Sequence, residues 1–368
     1  MRTTYVANPY ELCYNHFMNW EMLGHEWAVK LLLEHVAQGN HRHAYLITGS
    51  QGLGRRTLAL SFAQALNCPE ARSPGEPCRT CRTCKKIKAM QHPDLSVIQA
   101  EQIGGTLVVD QIRELQRSLA LAPYEARYRI ALLLRFEEAH PSAANALLKT
   151  LEEPPPQVIL IITAESSEIL LPTIVSRCEV LRLRPIAPEI VAQGLEERWN
   201  LPEDEAHFLA HISGGRPGYA LKLHQEPGIM GDRQAWLRDH HALLAASRVA
   251  RFRHVENDMT QGINKDRPRV IARLRGILEV WLSLWRDVLL RSSGASAPLS
   301  NPDQLQVTEH IAKHTALEEV YEMVASLERT INLLDKNVNP RLASEVLLLD
   351  LPFIPGLGDD TTGTTSEE

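Results

Sequence analysis

The sequence predicts an α/β fold: a parallel-sheet domain near the N-terminus, followed by helical regions that fill the rest of the 368 residues. Three observations carry this. Short apolar runs at 43–47 (HAYLI), 129–134 (RIALLL) and 158–163 (VILIIT) have the length and continuity of strands buried on both faces. Segments of helical period lie between them, the alternation expected of a parallel sheet covered by helices. Beyond residue 184 the pattern is helical to about residue 350.

Taken in order, residues 1–17 show no period, and a second methionine follows at Met18. They read as a disordered extension or a mis-called start. Apolar residues at helical spacing run from Glu26 to Val36. The strand at 43–47 leads through Thr48 into a Gly-rich turn, and a helix spans about 56–66. Val97 and Ile98 suggest a brief strand, and Val109, Ile112, Leu115 and Leu119 mark a helix face. The helix at 142–151 ends before Pro154, because proline cannot continue it. Residues 180–183 (VLRL) close the sheet. The first domain is therefore placed at 18–184, with Pro185 and Pro188 at its boundary. Residues 185–245 read as a small helical domain with a turn at Gly214-Gly215. Residues 246–350 form an all-α region, and 351–368 read as a disordered tail.

The formal net charge of -6 argues against coating nucleic acid by bulk electrostatics, although it permits a local phosphate contact. No apolar run approaches the ~18 residues of a membrane span. No signal layout opens the chain, so a cytoplasmic protein without a membrane partner is expected.

Gly49-Ser50-Gln51-Gly52-Leu53-Gly54-Arg55-Arg56-Thr57 sits where a phosphate loop belongs, after a strand and opening a helix. Gly49, Gly52 and Gly54 would let backbone N–H groups face phosphate. The chemistry needs lysine at 55 and a hydroxyl at 56, one for the outer phosphates and one for Mg²⁺. Both positions are arginine. Arg55 can pair with phosphate, but Arg56 repels the metal, and Thr57 is one residue late. The loop therefore reads as degenerate, with ATP and Mg²⁺ not bound productively. Glu138-Ala139-His140 imitates part of an acidic metal-binding box; alternatively, it starts the next helix.

Cys68, Cys78, Cys81 and Cys84 lie within seventeen residues. Their spacing lets one loop wrap an ion while Cys68 closes a tetrahedron, the ligand set of structural zinc. An iron–sulfur cluster and free thiols are the alternatives.

Several segments resemble the clamp-loader subunits of bacterial DNA polymerase III, an AAA+ family. These are Ala144-Asn145-Ala146-Leu147-Leu148-Lys149-Thr150-Leu151-Glu152-Glu153-Pro154-Pro155, Ser176-Arg177-Cys178, the four-cysteine insertion, and Asn337-Val338-Asn339-Pro340-Arg341-Leu342. Gly24-His25 and His43-Ala44-Tyr45-Leu46 are similar to the family's opening. The resemblance spans about 22–350. It implies an AAA+ domain with a zinc module, a helical lid at 185–245 and a helical collar at 246–350.

Aligned on Asn145, the family's paired metal-site acids fall at Leu134 and Arg135, so neither is present, and Glu137-Glu138 stands outside that pair. This departure is of the delta-prime kind and unlike the ATP-hydrolysing gamma/tau motors. The resemblance implies that Arg177 is an arginine finger acting in trans on a neighbouring motor subunit, and that Cys178 is a packing residue. Arg216 is similar to a lid sensor, vestigial here. The implied partners are gamma/tau and delta subunits, the sliding clamp, and primer-template DNA within the assembled complex. The chain would belong to a polymerase holoenzyme without polymerase or ATPase activity of its own. The broad apolar face around Trp281 and Trp285 is expected to serve the collar, by meeting a partner or by filling the bundle's own core. A divergent gamma/tau-type motor and a stand-alone zinc-ribbon nucleic-acid binder are the alternatives.

Overall fold

The computed structural model describes residues 20–101, 105–334, 336 and 338–356. The expectations for residues 1–17, and Asn337 of the downstream motif, lie outside these. The chain divides into two compact units, one of residues up to 206 with 215–220, the other of 207–214 with 221 onward.

The first unit holds α1 (Glu26–Gln38), β1 (Ala44–Thr48), α2 (Arg55–Asn67), α3 (Arg82–Lys88), β2 (Leu95–Ile98), α4 (Val109–Leu119) and β3 (Arg129–Leu133). It continues with α5 (Pro141–Glu152), β4 (Val158–Ala164), α6 (Pro172–Val175), β5 (Glu179–Arg182) and α7 (Pro188–Trp199). The five strands form one parallel sheet in the order β2-β3-β4-β1-β5. β1, β3 and β4 are buried along their whole length, which is why they read as unbroken apolar runs.

Alternation along these strands sorts their side chains between two cores. Tyr45, Ile47, Ile130, Leu132, Ile159 and Ile161 face the core built with α1 and α2. Ala44, Leu46, Ala131, Leu133, Leu160 and Ile162 face the core built with α4 and α5. α5 begins with Pro141 at its first position, capped by the His140 side chain accepting from the Ser142 N–H at 3.2 Å. The start of the expected lid belongs to this unit: Arg198 on α7 donates to the Met22 carbonyl at 2.8 Å, and Gly194 has room for no more than hydrogen against Leu23.

In the chain, α8 (Glu203–Ile212) and α9 (Pro217–Gln225) follow; then the second unit holds α10 (Pro227–Leu244), α11 (Arg248–His254), α12 (Arg267–Ser292), α13 (Leu305–His314), α14 (Leu317–Leu334) and α15 (Pro340–Asp350). Trp281 and Trp285 on α12 are 1% and 0% exposed. Their indole N–H groups donate to the Trp236 carbonyl and to His240 Nε2, both at 2.9 Å. Both tryptophans are therefore core of this bundle and present no face to a partner, which corrects one of the two expectations for them. The expected tail is ordered at its start: Leu351 and Ile354 are buried, and the Ile354 N–H donates to the Leu244 carbonyl at 3.0 Å, while residues 357–368 lie outside the described residues. The Asn339-Pro340 motif is a helix start, with the Asn339 side chain accepting from the Arg341 and Leu342 N–H groups.

Candidate functional site

The degenerate loop lies between β1 and α2. Gly49, Gly52 and Gly54 all have positive φ, at 144°, 92° and 91°. A side chain at Gly49 would meet the Leu183 carbonyl at 2.7 Å, and one at Gly52 would meet the Tyr219 backbone at 2.8 Å. Backbone geometry thus demands glycine at both positions. α2 starts with no side-chain cap, so its first N–H groups stay available to an anion. The Gly218 N–H donates to the Gly52 carbonyl at 2.8 Å, which brings the first turn of α9 against the loop. Arg216 stands beside it, its guanidinium 4.5 Å over the Tyr219 ring.

The side chains around the loop do not suit Mg²⁺. Arg56 is exposed where a metal-ligating hydroxyl is needed. At the end of β3, Leu134 is buried, and Arg135 takes positive φ and pairs with Glu138 at 3.0 Å. Arg55 and Glu137 each have one buried atom, Nη1 and Oε2, without a hydrogen-bond partner. Burial pushes the Arg55 pKa down while the charges of Glu137 and Glu165 oppose that shift. Burial likewise pushes Glu137 up, with Arg55 pulling the other way. Glu137 and Glu138 belong to a short 3-10 turn, Phe136–Glu138, and His140 then caps α5. Glu137 therefore lies close enough to Arg55 for each charge to act on the other. The cradle can face an anion; the set of residues does not fit a magnesium nucleotide.

Arg177 follows α6 in the turn that enters β5. Its neighbours Ile174 and Cys178 anchor that turn, and burial raises the Cys178 thiol pKa to about 12, as suits a packing residue. The Arg177 guanidinium is at the surface, with Nη2 2.7 Å from Glu152 Oε1 and Nη1 donating to the Thr173 carbonyl at 3.0 Å. The sequence marks the arginine by its motif; the pairing with Glu152, 25 residues earlier, carries no local signal.

The sulfurs of Cys68, Cys78, Cys81 and Cys84 all lie within 4.8 Å of one another, so they could hold a metal ion. Tetrahedral thiolates at ~2.3 Å from an ion lie roughly 3.8 Å apart, close to this spread. Backbone N–H groups of Cys78, Cys81 and Cys84 donate to the preceding sulfurs at 3.3, 3.3 and 3.4 Å, stabilising thiolate charge. Arg79, held at φ 64°, sends its guanidinium to Gln64 and Ser61 on α2, and Gln64 in turn donates to the Cys84 carbonyl at 2.7 Å. The knuckle is thereby tied to the helix that follows the loop. Burial drives the Cys84 thiol strongly up in pKa when no ion is bound, so an ion there would compensate a buried polar cluster.

Residues 24–187 match the family described as DNA polymerase III, delta subunit, and residues 258–352 match its C-terminal family. The DNA polymerase III subunit delta' of Bacillus subtilis is 27% identical over 324 residues, 88% of this chain and 95% of that protein. Subunit gamma of Buchnera aphidicola is 30% identical over 365 residues, 92% of this chain and 95% of that protein. Subunit delta' of Haemophilus influenzae is 35% identical over 204 residues, 55% of this chain and 60% of that protein. A gamma-subunit-related protein of Thermotoga maritima superposes with a TM-score of 0.41 at 17% identity, covering 88% of this chain and 97% of that one. The sequence matches alone carry the assignment: the chain belongs to the clamp-loader subunit family of bacterial DNA polymerase III.

Proposed function

We propose that this chain is the delta-prime-type subunit of its clamp loader, a non-hydrolysing stator that acts on a neighbour's ATP. The observation that carries this reading is the loop itself: arginine at 55 and 56, and Leu134 and Arg135 where acids are needed. The positions where a P-loop enzyme needs its lysine, its metal-ligating hydroxyl and its paired acids carry none of them. Arg177, half-buried on an anchored turn, suits an arginine finger that stabilises charge on the phosphoryl group in an adjacent motor subunit. Arg216 is then a remnant sensor. The test is ATP hydrolysis by the chain alone. The proposal expects no turnover above a blank; steady turnover would favour a gamma/tau-type motor, a reading supported by the gamma relative.

We further propose zinc as the ion of the cysteine knuckle, since four thiolates with no open position suit a structural zinc site. The three-domain organisation, with a lid at 185–245 and a collar at 246–350, is part of the same proposal, as are delta and gamma/tau subunits, the sliding clamp and primer-template DNA as partners. With Trp281 and Trp285 inside the core, the collar needs another apolar face. Leu342, Val346 and Leu349 form a stripe on α15 at spacing i, i+4, i+7, continued by Phe353, and all four are exposed. The double substitution Val346→Glu and Leu349→Glu should leave the melting temperature nearly unchanged, as surface changes usually cost within about 0.5 kcal/mol. It should abolish co-elution with the other subunits. Assembly like that of the wild type would remove this stripe from the collar.

A further inference from the structure

We propose that Glu152 is a positioning residue for Arg177: a latch that holds the finger within its own chain until the neighbouring site recruits it. This rests on the reading of Arg177 as a trans-acting finger and adds its regulation.

Both ends of the contact are fixed by packing. Glu152 is the last residue of α5, whose Ala143, Leu147 and Leu151 are buried in the sheet core. Pro154 and Pro155 stop the helix there, so the backbone that carries the carboxylate is held at a defined place. Arg177 leaves a turn anchored by Ile174 and Cys178. The pair at 2.7 Å, with the Thr173 carbonyl at 3.0 Å, engages both terminal nitrogens of the guanidinium inside this chain.

The strength of the contact suits a latch. The side chains are 35% and 52% exposed, so water screens them. An exposed pair of this kind biases the equilibrium by at most about five-fold. That is enough to park the arginine and too little to resist a multiply charged phosphate, which binds guanidinium through strong bidentate bonds. A carboxylate in contact also cancels the charge that the guanidinium would offer to a transition state. Full stabilisation of the phosphoryl group therefore requires the pair to part. Thr173 contributes a neutral acceptor, so its bond can guide the arginine without that cancellation.

The experiment uses the complete clamp loader reconstituted from its motor and delta subunits with this chain as wild type, Glu152→Gln, Arg177→Ala or the double variant. ATP hydrolysis is measured with and without clamp and primed DNA. Glu152→Gln is expected to raise basal kcat about two- to five-fold, the range of an exposed ion pair, with KM for ATP and the stimulated kcat unchanged. In the Arg177→Ala background the same substitution should have no effect, because no finger remains to release. A basal rate unchanged or lowered by Glu152→Gln, while Arg177→Ala still impairs stimulated hydrolysis, overturns the latch and leaves the finger standing. Stimulated hydrolysis unaffected by Arg177→Ala overturns the finger and the latch together. A merely structural role for Glu152 would lower the melting temperature and both rates alike, and would also overturn the latch.

Discussion

Replacing Arg251 by alanine is expected to cost the second unit about 3–5 kcal/mol, the range for removing one partner from a buried charged network. Arg251 is 5% exposed and has a carbonyl on every side. Its Nε donates to Leu243 at 3.0 Å, Nη1 to Leu348 at 3.1 Å and to Leu351, and Nη2 to Leu244 at 3.4 Å and Pro352 at 2.9 Å. Leu243 and Leu244 end α10, while Leu348 and Leu351 lie at the end of α15. One guanidinium thus satisfies the orphan carbonyls of two helix ends. Each end carries roughly half a negative charge, so together they offset about one positive charge. Alanine would leave these acceptors buried without donors. For a unit of this size, roughly 2–4 °C of melting temperature is lost per kcal/mol, so a fall of roughly 6–20 °C is predicted. Lysine should recover only part of it, because a compact ammonium cannot reach both helix ends. A melting temperature within a degree or two of wild type for Arg251→Ala would show that the carbonyls find other donors.

The second large effect is expected at the cysteine knuckle. Cys84 is fully buried and its carbonyl is tied to Gln64 on α2. In zinc-finger peptides, structural zinc contributes about 10–16 kcal/mol at neutral pH, coupled to local folding. Cys84→Ser should therefore drop the bound metal from about one zinc per chain to well below it. The remaining cysteines should become reactive to a thiol reagent, and amide exchange should accelerate across residues 68–88. The core built with α4 and α5 should stay protected, since no knuckle residue belongs to it, while Ile87 of α3 ties the other core to the knuckle. Four reactive thiols and no metal in wild-type protein purified with zinc would contradict the site.

What could be read in the sequence follows from how local each signal is. β1, β3 and β4 are legible because burial on both faces leaves only apolar residues along them. The glycines of the loop and the cysteine spacing are legible because one turn needs them all. The tryptophans of α12 show why an apolar stripe cannot name its own partner: residues 236 and 240, more than forty positions earlier, receive their N–H groups. Polar residues that organise tertiary structure leave no pattern. Asp94, fully buried, accepts from the Tyr124, Glu125 and Ala126 N–H groups at 2.6, 2.9 and 2.9 Å and so fixes the loop before β3. Asp287 does the same for Ser300 and Asn301, and Arg233 ties Asp303 and Asn301 to α10. Glu137 illustrates a further limit: its place in a 3-10 turn follows the positive φ of Arg135, which an arginine does not announce.

The central claim is that this chain hydrolyses nothing itself and completes a neighbour's site. The most direct measurement is stimulated ATP hydrolysis by the reconstituted clamp loader carrying wild-type chain or Arg177→Ala. The account predicts an inert lone chain and a stimulated rate well below wild type for Arg177→Ala, since an arginine finger is worth about 10³–10⁵ in kcat at the site it serves. A lone chain that turns over ATP, together with an Arg177→Ala complex as fast as wild type, would contradict the account and make this chain a motor.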